Sequence, residues 1–419
     1  MHYEVTMKKL FLKVFAVTSL LLFQLNAYAA LHIELTQGNS SAIPIAVVPF
    51  KGQSNEPNSP YNVSSVIHND LQNSGQFKII PEGSMTQFPS KPQEVNFKTW
   101  KDLSANDIVI GQVVPQGGEY KVSFSLIDVF QGSKDANAGV VISDSFTVPK
   151  SELRKIAHHI SDLIYQKLTG IRGIFSTRIA YVLVEGQGNA KRYLLEVADA
   201  DGYNPRPILI SKEPIMSPSW SPDGRKLAYV SFENKKSSIY ISNIASGNRQ
   251  LVASFPGING APRFSPDGTK LALVLSKGTA FSNIYLMNLG SQSLTQLTHD
   301  EALNTEPSWS PDGKNLIFTS NRGGGPQIYR LNISSGSVSR VSYSGNYNAT
   351  GSYSSDGKTI IVLHGEGGDN YDVGSIDVAS AGLNVLTNTG GVSSPSLAPN
   401  GQMIIYADTT SGRGVLGMV

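Results

Sequence analysis

The residues that could carry chemistry are scattered along this chain of 419 residues. Cysteine is absent from the sequence, which excludes disulfides, cysteine zinc sites and thiol nucleophiles. His158 and His159 are adjacent, and neighbouring positions on a helix point to different faces, so they do not form the i, i+4 pair of a helical metal site. We interpret all seven histidines as satisfied or surface residues.

Two groups of aspartates could bind a cation by composition. The first group recurs along the chain as Asp223, Asp267, Asp312 and Asp356, and the second is Asp369, Asp372 and Asp377. An Asp in a Pro-Asp-Gly turn accepts hydrogen bonds from its own turn, so we expect turn stabilisation in the first group and a solvated loop in the second. GxSxG and P-loop motifs are also absent from the sequence. We therefore predict no catalytic residue, no metal and no cofactor.

The first residues have the three-part pattern of a secretory signal. Met7-Lys8-Lys9 is basic, Leu10 to Leu25 is mainly apolar, and Ala27-Tyr28-Ala29 supplies small residues for cleavage. We predict a signal peptide over residues 1–29, with Met1 or Met7 as the start, and export of the rest. No later apolar run is long enough to span a membrane, so we expect no direct membrane insertion.

Charge and hydrophobicity limit the class of partner. The formal net charge is +2 and charged residues make up 16% of the chain, against about 25% in an average globular protein. Such a weak field argues against a nucleic-acid binder. The hydrophobic fraction of 40% is sufficient for a packed core.

The elements that would position any site form two regions with different secondary-structure patterns. Residues 30–42 contain a short alternating strand, either an edge strand or a strand that detaches to a partner; taken alone, a frayed terminus is the simpler reading. Residues 43–170 mix strands, such as Ile43 to Phe50, with an amphipathic helix from Ser151 to Leu168, for which we predict Ser151 as N-cap and Gly170 as C-cap. They predict an α/β domain, followed by a linker at 171–176.

From residue 177 the sequence repeats with a period of about 44 residues. The repeated segments are PSWSPDGRKLAYVS at 218–231, PRFSPDGTKLALVLS at 262–276, PSWSPDGKNLIFTS at 307–320, GSYSSDGKTIIVLH at 351–364 and PSLAPNGQMIIYAD at 395–408. Four short strands per repeat predict a β-propeller blade. Residues 177–419 therefore form a six-bladed propeller in our prediction. Its first blade lacks an inner strand, so closure between the last and first blades is incomplete.

This combination resembles the TolB family of the Tol–Pal system of Gram-negative bacteria. The resemblance rests on IPIAVVPF at 43–50, TGIRGIFSTRIAYV at 169–182, NGAPRFSPDG at 259–268, NTEPSWSPDG at 304–313 and PSLAPNG at 395–401. It implies a periplasmic, monomeric, non-enzymatic protein that supports outer-membrane integrity and invagination during cell division. It also implies two partners, the C-terminal domain of the inner-membrane protein TolA and the outer-membrane lipoprotein Pal.

The resemblance also implies where the partners bind. The TolA-binding segment corresponds to Ala30, Leu31, His32, Ile33, Glu34, Leu35 and Thr36, within residues 30–42, and is either docked between the domains or released. The Pal-binding loops correspond to Ile258, Asn259, Gly260, Ala261, Asn304, Thr305, Glu306 and Asn348. These loops are expected to precede the inner strands of successive blades.

Two other functions stay open from the sequence. One is an exported propeller that binds or hydrolyses glycans, although Glu306 is the only acid in the predicted channel loops. The other is a purely structural repeat protein, which would leave the signal and the α/β domain unexplained.

Overall fold

The computed structural model describes residues 33–35, 42–53, 61–135, 139–368, 370–410 and 415–419. The predicted signal peptide lies outside these residues. Within them, no helix combines the length and the apolar character needed to cross a lipid bilayer.

The first part of the structure is a five-stranded α/β layer. Its five strands are β2 (Ile43–Val47), β3 (Phe77–Ile79), β4 (Asp107–Gln116), β5 (Glu119–Asp128) and β6 (Val140–Val148). The strand that precedes them in the chain, β1 (Ile33–Leu35), belongs to a later sheet. Its helices are α1 (Val63–Asn73), α2 (Phe97–Asp102), α3 (Val129–Gly132) and α4 (Leu153–Thr169). The sheet order is β3-β2-β4-β5-β6, with β2 parallel to both of its neighbours.

Strand β2 is a continuous apolar run because both of its faces are covered. Ile45 and Val47 belong to the core that contains helices α1 and α4, while Ala46 and Val48 belong to the core on the other face, around Trp100. A strand buried on both faces loses the alternation of a half-exposed strand. The predicted α/β domain is confirmed, and its predicted residue limits stay a prediction.

The start of helix α4 differs from the expectation. Ser151 does not cap it, because Lys150–Glu152 form a 3-10 turn and Glu152 occupies the N-cap position without a side-chain hydrogen bond. The other end agrees with the prediction. Gly170 closes the helix with a left-handed φ of 75°, a conformation that glycine adopts without a Cβ penalty.

Two aspartates face each other at the buried end of the β4–β5 ladder. Asp107 is opposite Asp128 and is 7% exposed. Burial, with a smaller contribution from Asp128, raises the pKa of Asp107 to about 7. The folded protein therefore holds a proton that the unfolded chain releases above its ordinary carboxyl pKa, and stability falls as pH rises from about 4 through about 7.

We expect Asp107→Asn to stabilise the protein at pH 8 by about 2 kcal/mol and to change stability little near pH 4. The measurement is urea unfolding at a series of pH values. Asp144→Asn, at an exposed aspartate of β6, is the matched control. A wild-type stability that does not fall between pH 4 and pH 8 would contradict the argument.

The second part of the structure is the propeller, and each blade is a separate sheet. Blade one contains β7 (Arg178–Glu185), β8 (Arg192–Asp199) and β9 (Arg206–Ser211); blade two contains β10 (Ile215–Trp220), β11 (Lys226–Ser231), β12 (Ser238–Asn243) and β13 (Arg249–Ala253). Blade three contains β14 (Asn259–Phe264), β15 (Lys270–Leu275), β16 (Asn283–Asn288) and β17 (Leu294–Gln296).

Blade four contains β18 (Asn304–Trp309), β19 (Asn315–Ser320), β20 (Gln327–Asn332) and β21 (Val338–Arg340). Blade five contains β22 (Tyr347–Tyr353), β23 (Thr359–Gly365), β24 (Asp372–Asp377) and β25 (Leu383–Val385); blade six contains β26 (Val392–Leu397), β27 (Ile404–Asp408) and β28 (Val415–Met418). The six blades and the incomplete first blade are as predicted. Within the described ranges, no strand pairs with the inner edge of β7.

Bulky residues at the end of each inner strand pack between blades. Trp220, Phe264, Trp309, Tyr353 and Leu397 each join a cluster made of two adjacent blades. Trp309 also donates from Nε1 to the carbonyl of Arg263 on the preceding blade, at 3.1 Å. These bulky residues, which occupy the same position in each repeat, therefore form the contact between blades.

The repeated aspartates stabilise their own turns. In blade three, hydrogen bonds from Ser265 and Thr269 lower the pKa of the Asp267 carboxyl to about 2. The same pattern occurs at Asp223, Asp312 and Asp356. Because these carboxylates already accept bonds from their turns, the structure supports the turn interpretation.

The second aspartate group also bonds locally where it is described. Asp372 accepts from Thr387, Thr389 and Gly390, and Asp377 accepts from the backbone of the turn that follows it. Asp369 lies outside the described residues.

The N-terminal strand completes the last blade. Strand β1 pairs in parallel with β28, so the sixth sheet has the order β1-β28-β27-β26. In this register, Ile33 is opposite Leu416, Glu34 is opposite Gly417 and Leu35 is opposite Met418. The segment is thus the outermost strand of blade six.

Candidate partner-binding face

The inner strands of blades two to six carry the same local distortion. Each contains a β-bulge with a non-glycine residue at positive φ: Ser217, Ala261, Glu306, Thr350 and Ser394. In four of the five strands the next residue is proline, which has no N–H to lose from the ladder at a bulge. A left-handed conformation costs a non-glycine residue about 1–2 kcal/mol, so the ladder on both sides must hold it in place.

The predicted Pal-binding residues lie mainly in strands and not in loops, which corrects the expectation. Asn259, Gly260 and Ala261 open β14, Asn304, Thr305 and Glu306 open β18, and Asn348 is the second residue of β22. Ile258 is the one predicted residue that precedes its strand. Because β14, β18 and β22 are neighbouring inner strands, the structure brings all of these residues to one mouth of the propeller.

Three of these residues have a structural role, because their side chains are buried and hydrogen-bonded within the protein. Asn259, Asn304 and Asn348 are at most 1% exposed. Asn259 accepts from the Phe255 amide at 2.8 Å and donates to the Phe255 carbonyl at 2.8 Å. Each Asn thus fastens the loop that enters its own strand, and its side chain is not available to a partner.

The bonds of Asn304 and Asn348 also tie neighbouring strands together. Asn304 donates to Asp300 and Asn283 and accepts from Arg322, while Asn348 donates to Gln327 and the Ser344 carbonyl and lies 3.1 Å from His364 Nδ1. Such buried, satisfied amides fix the geometry of the mouth.

Glu306 connects two blades from its bulge. Its Oε2 accepts from Thr319 Oγ1 at 2.8 Å within its own sheet and from the Thr350 amide at 2.9 Å on the next inner strand. Arg263 on the preceding inner strand interacts electrostatically with the same carboxylate. The acid therefore aligns the bulges, and it has no partner acid of the kind that glycoside hydrolysis needs among the predicted channel residues.

The surface that a partner can reach at the mouth carries exposed apolar side chains. Ile258 is 51% exposed and Leu303 is 48% exposed, and each directly precedes one of the buried asparagines. Beside Leu303, Arg322 bonds Asn304, forms an ion pair with Asp300 at 2.9 Å and lies over the rings of Phe318 and Tyr329. The sequence prediction did not include Leu303 and Arg322. Each occupies a position that recurs in the preceding repeat, and this correspondence could have identified them.

The predicted TolA-binding segment is described only in part. Ile33, Glu34 and Leu35 form β1, and Ala30, Leu31, His32 and Thr36 lie outside the described residues. Strand β1 pairs at the outer edge of blade six, and its predicted alternatives, docked between the domains or released, stay predictions.

Comparison with known proteins agrees with both parts of this architecture. Residues 31–134 match the TolB amino-terminal domain and residues 165–419 match the TolB beta propeller domain. The chain belongs to the TolB family. The crystal structure of TolB from Acinetobacter baumannii is 38% identical, covers 93% of this chain and 94% of its own, and superposes with a TM-score of 0.84.

Relatives with curated names carry the same description. A Tol-Pal system protein TolB from Coxiella burnetii is 48% identical over 251 residues, and one from Xanthomonas oryzae pv. oryzae is 47% identical over 250 residues. Each match covers 59% of this chain and 56% of the relative, so the aligned region is little more than half of those proteins. Their names are those of an envelope-system component and not of an enzyme.

Proposed function

We propose that this TolB-family chain is a non-enzymatic periplasmic scaffold of the Tol–Pal system. Its N-terminal segment binds the C-terminal domain of TolA and its propeller mouth binds Pal, which supports outer-membrane integrity and invagination during division. The observation that carries the proposal is the likeness to Acinetobacter TolB, which extends over 93% of this chain and thus over both the α/β region and the propeller.

The pairing of β1 suits a segment that exchanges partners. It is three residues long and joins one neighbour, β28, at the edge of its sheet. A strand this short contributes few backbone hydrogen bonds, so its release costs little, and a released strand can add to the sheet edge of another protein. A partner that binds the released form shifts the population towards it.

The mouth suits a rigid protein-docking surface. The buried asparagines and Glu306 hold the inner strands in place, while Ile258 and Leu303 present apolar side chains to solvent. Preorganised apolar anchors of this kind are typical of protein interfaces.

The test measures binding of purified TolA C-terminal domain and of Pal by calorimetry. Deletion of residues 30–36 is expected to abolish TolA binding and to leave Pal binding within about twofold. Replacement of residues 37–41 by a glycine-serine stretch of the same length, which keeps residues 30–36 and their distance from β2, is the control and should keep both. Absence of binding to either partner by the intact protein would refute the proposal, and loss of both on deletion of 30–36 would make the segment structural.

A further inference from the structure

Five charged or titratable residues form a joint between the α/β region and the first blade. His158 on α4 and Asp70 on α1 are each 3% exposed. The end of β8 and the turn after it carry Asp199 and Asp201, and Arg154, one helical turn before His158, forms ion pairs with both of those carboxylates. Among the described residues, these are the charged groups that face His158 from α1, from α4 and from the blade. The joint lies outside the propeller mouth, and the proposed function assigns it no role.

The net charge of the joint depends on the number of protons that it binds. With a neutral imidazole and ionised carboxyl groups, three carboxylates face the single guanidinium of Arg154, and the sum is −2. Unpaired charge is costly in a place that is largely withdrawn from water. A second proton on the imidazole and one proton on a carboxyl group bring the sum to zero. The closed joint therefore holds protons that the same groups release in water.

The surroundings of His158 favour its charged form. Its Nδ1 is 2.8 Å from Asp70 Oδ2, and a carboxylate oxygen of Asp201 lies within 4.8 Å of an imidazole nitrogen. An imidazolium is attracted to both carboxylates, whereas a neutral imidazole is not. Burial opposes the charge, but the hydrogen bond and the charge of Asp70, with the charge of Asp201, outweigh it and raise the pKa of His158 above its ordinary 6.5.

The two carboxyl groups shift in the same direction as the imidazole. Burial raises the pKa of Asp70 and the pKa of Asp199 above the ordinary 3.8. A group whose pKa is higher in the closed joint than in water stabilises the closed form at low pH, and this contribution is lost as pH rises through the raised pKa. The closed form is therefore most stable in acid, and it weakens from about pH 4 upwards, with the contribution of His158 lost above pH 6.5.

A second contact between the α/β region and the propeller does not titrate. Met403, directly before β27 of blade six, is 6% exposed and belongs to the core that contains α1 and α4. Beside it, Asn400 donates to the backbone carbonyl of Arg172 at 3.1 Å. This apolar and amide contact is independent of pH, so it keeps the α/β region attached when the charged joint weakens.

We propose that the charged joint is a proton-dependent latch, which holds the α/β region on the first blade at low pH and releases it at high pH. Released, α4 moves away from the β8–β9 turn, while the contact at Met403 stays closed. The latch thus makes the attachment of the α/β region responsive to the pH of the compartment.

The experiment follows amide hydrogen exchange of the full mature protein by mass spectrometry, from about pH 5.5 to about pH 9, with the intrinsic exchange rate corrected for. The amides of Gly202 and Tyr203 report on the latch, because they hydrogen-bond to Asp199 and Asp201. We expect their opening equilibrium to rise at least about 10-fold over this range, since each unit of pKa difference corresponds to about tenfold. Amides around Met403 should change little.

The double variant His158→Gln with Asp70→Asn replaces the titrating pair by neutral amides that still hydrogen-bond to each other. We expect its opening equilibrium to rise less than about 3-fold over the same range. His159→Gln with Asp144→Asn is the matched control and should behave as the parent does, because the His159 ring contacts Phe146 and Asp144 is exposed on β6.

Asp199→Asn, with a side chain that is 30% exposed in the parent, decides the question if the double variant fails to fold, and it should also reduce the rise. A parent protein whose turn amides show no dependence on pH overturns the proposal. So does a rise that the substitutions leave unchanged, or an equal rise at Met403, which would come from global stability, to which Asp107 contributes. An NMR titration of His158 with a midpoint at or below 6.5 overturns it as well.

Discussion

The double variant Ile258→Glu and Leu303→Glu is expected to lose Pal binding about 100- to 1,000-fold without loss of stability. Both side chains are about half exposed, at 51% and 48%, so a carboxylate at either position is solvated in the free protein. In a complex, the same carboxylates would be buried against apolar surface without a partner charge. Two anchors at about 2 kcal/mol each correspond to this range of affinity, since 1.4 kcal/mol is tenfold.

The measurement is calorimetric titration of Pal together with thermal unfolding of the variant. The matched control is Leu251→Glu with Val385→Glu, on outer strands, where the two side chains are exposed by the same 51% and 48%. The control should bind Pal as the parent does. Equal loss of affinity in both double variants would show that added negative charge, and not the mouth, is responsible.

The repeat made the propeller predictable because its signals are local. Pro-Asp-Gly places the required turn residues at consecutive positions, and the bulky residue that packs between blades precedes the turn at a fixed offset. The paired strands β10 and β11, like β14 and β15, are thus joined by a turn that is recognisable in the sequence. Strand β1 has no such signal, since its parallel partner β28 is at the other end of the chain and no turn sets the register.

The candidate mouth was predictable in position but not in the role of each residue. The resemblance placed Asn304 and Asn348 at the mouth, yet their burial depends on Asn283, Arg322 and Gln327, which lie in other strands or loops. The positive φ of the residue in each bulge is equally hard to predict from the sequence, because it follows from the ladder register and not from the residue type. The partner of His158 is hidden for the same reason, because Asp70, whose Oδ2 lies 2.8 Å from its Nδ1, is on another helix.

Asn304→Ala is expected to destabilise the protein by about 3 kcal/mol. The Asn304 side chain is fully buried, accepts from Arg322 at 2.8 Å and donates to Asp300 at 2.9 Å. Each hydrogen bond to a charged group contributes about 1.5–3 kcal/mol, and alanine leaves the buried ends of both partners unsatisfied. Arg322 and Asp300 retain part of their solvation and their own ion pair, which keeps the loss below the sum of two bonds.

The loss should appear in urea unfolding, with Asn234→Ala as the control. Asn234 is exposed in the loop after β11 and donates a long bond of 3.3 Å to Tyr240, so its removal should cost no more than about 0.5 kcal/mol. If Asn304 acted chiefly by touching Pal, its replacement would lower affinity and leave unfolding unchanged. Because the Asn304 side chain is buried, we expect the reverse: the protein loses stability. Its affinity for Pal falls only because the loop that carries Leu303 is no longer fastened to β18.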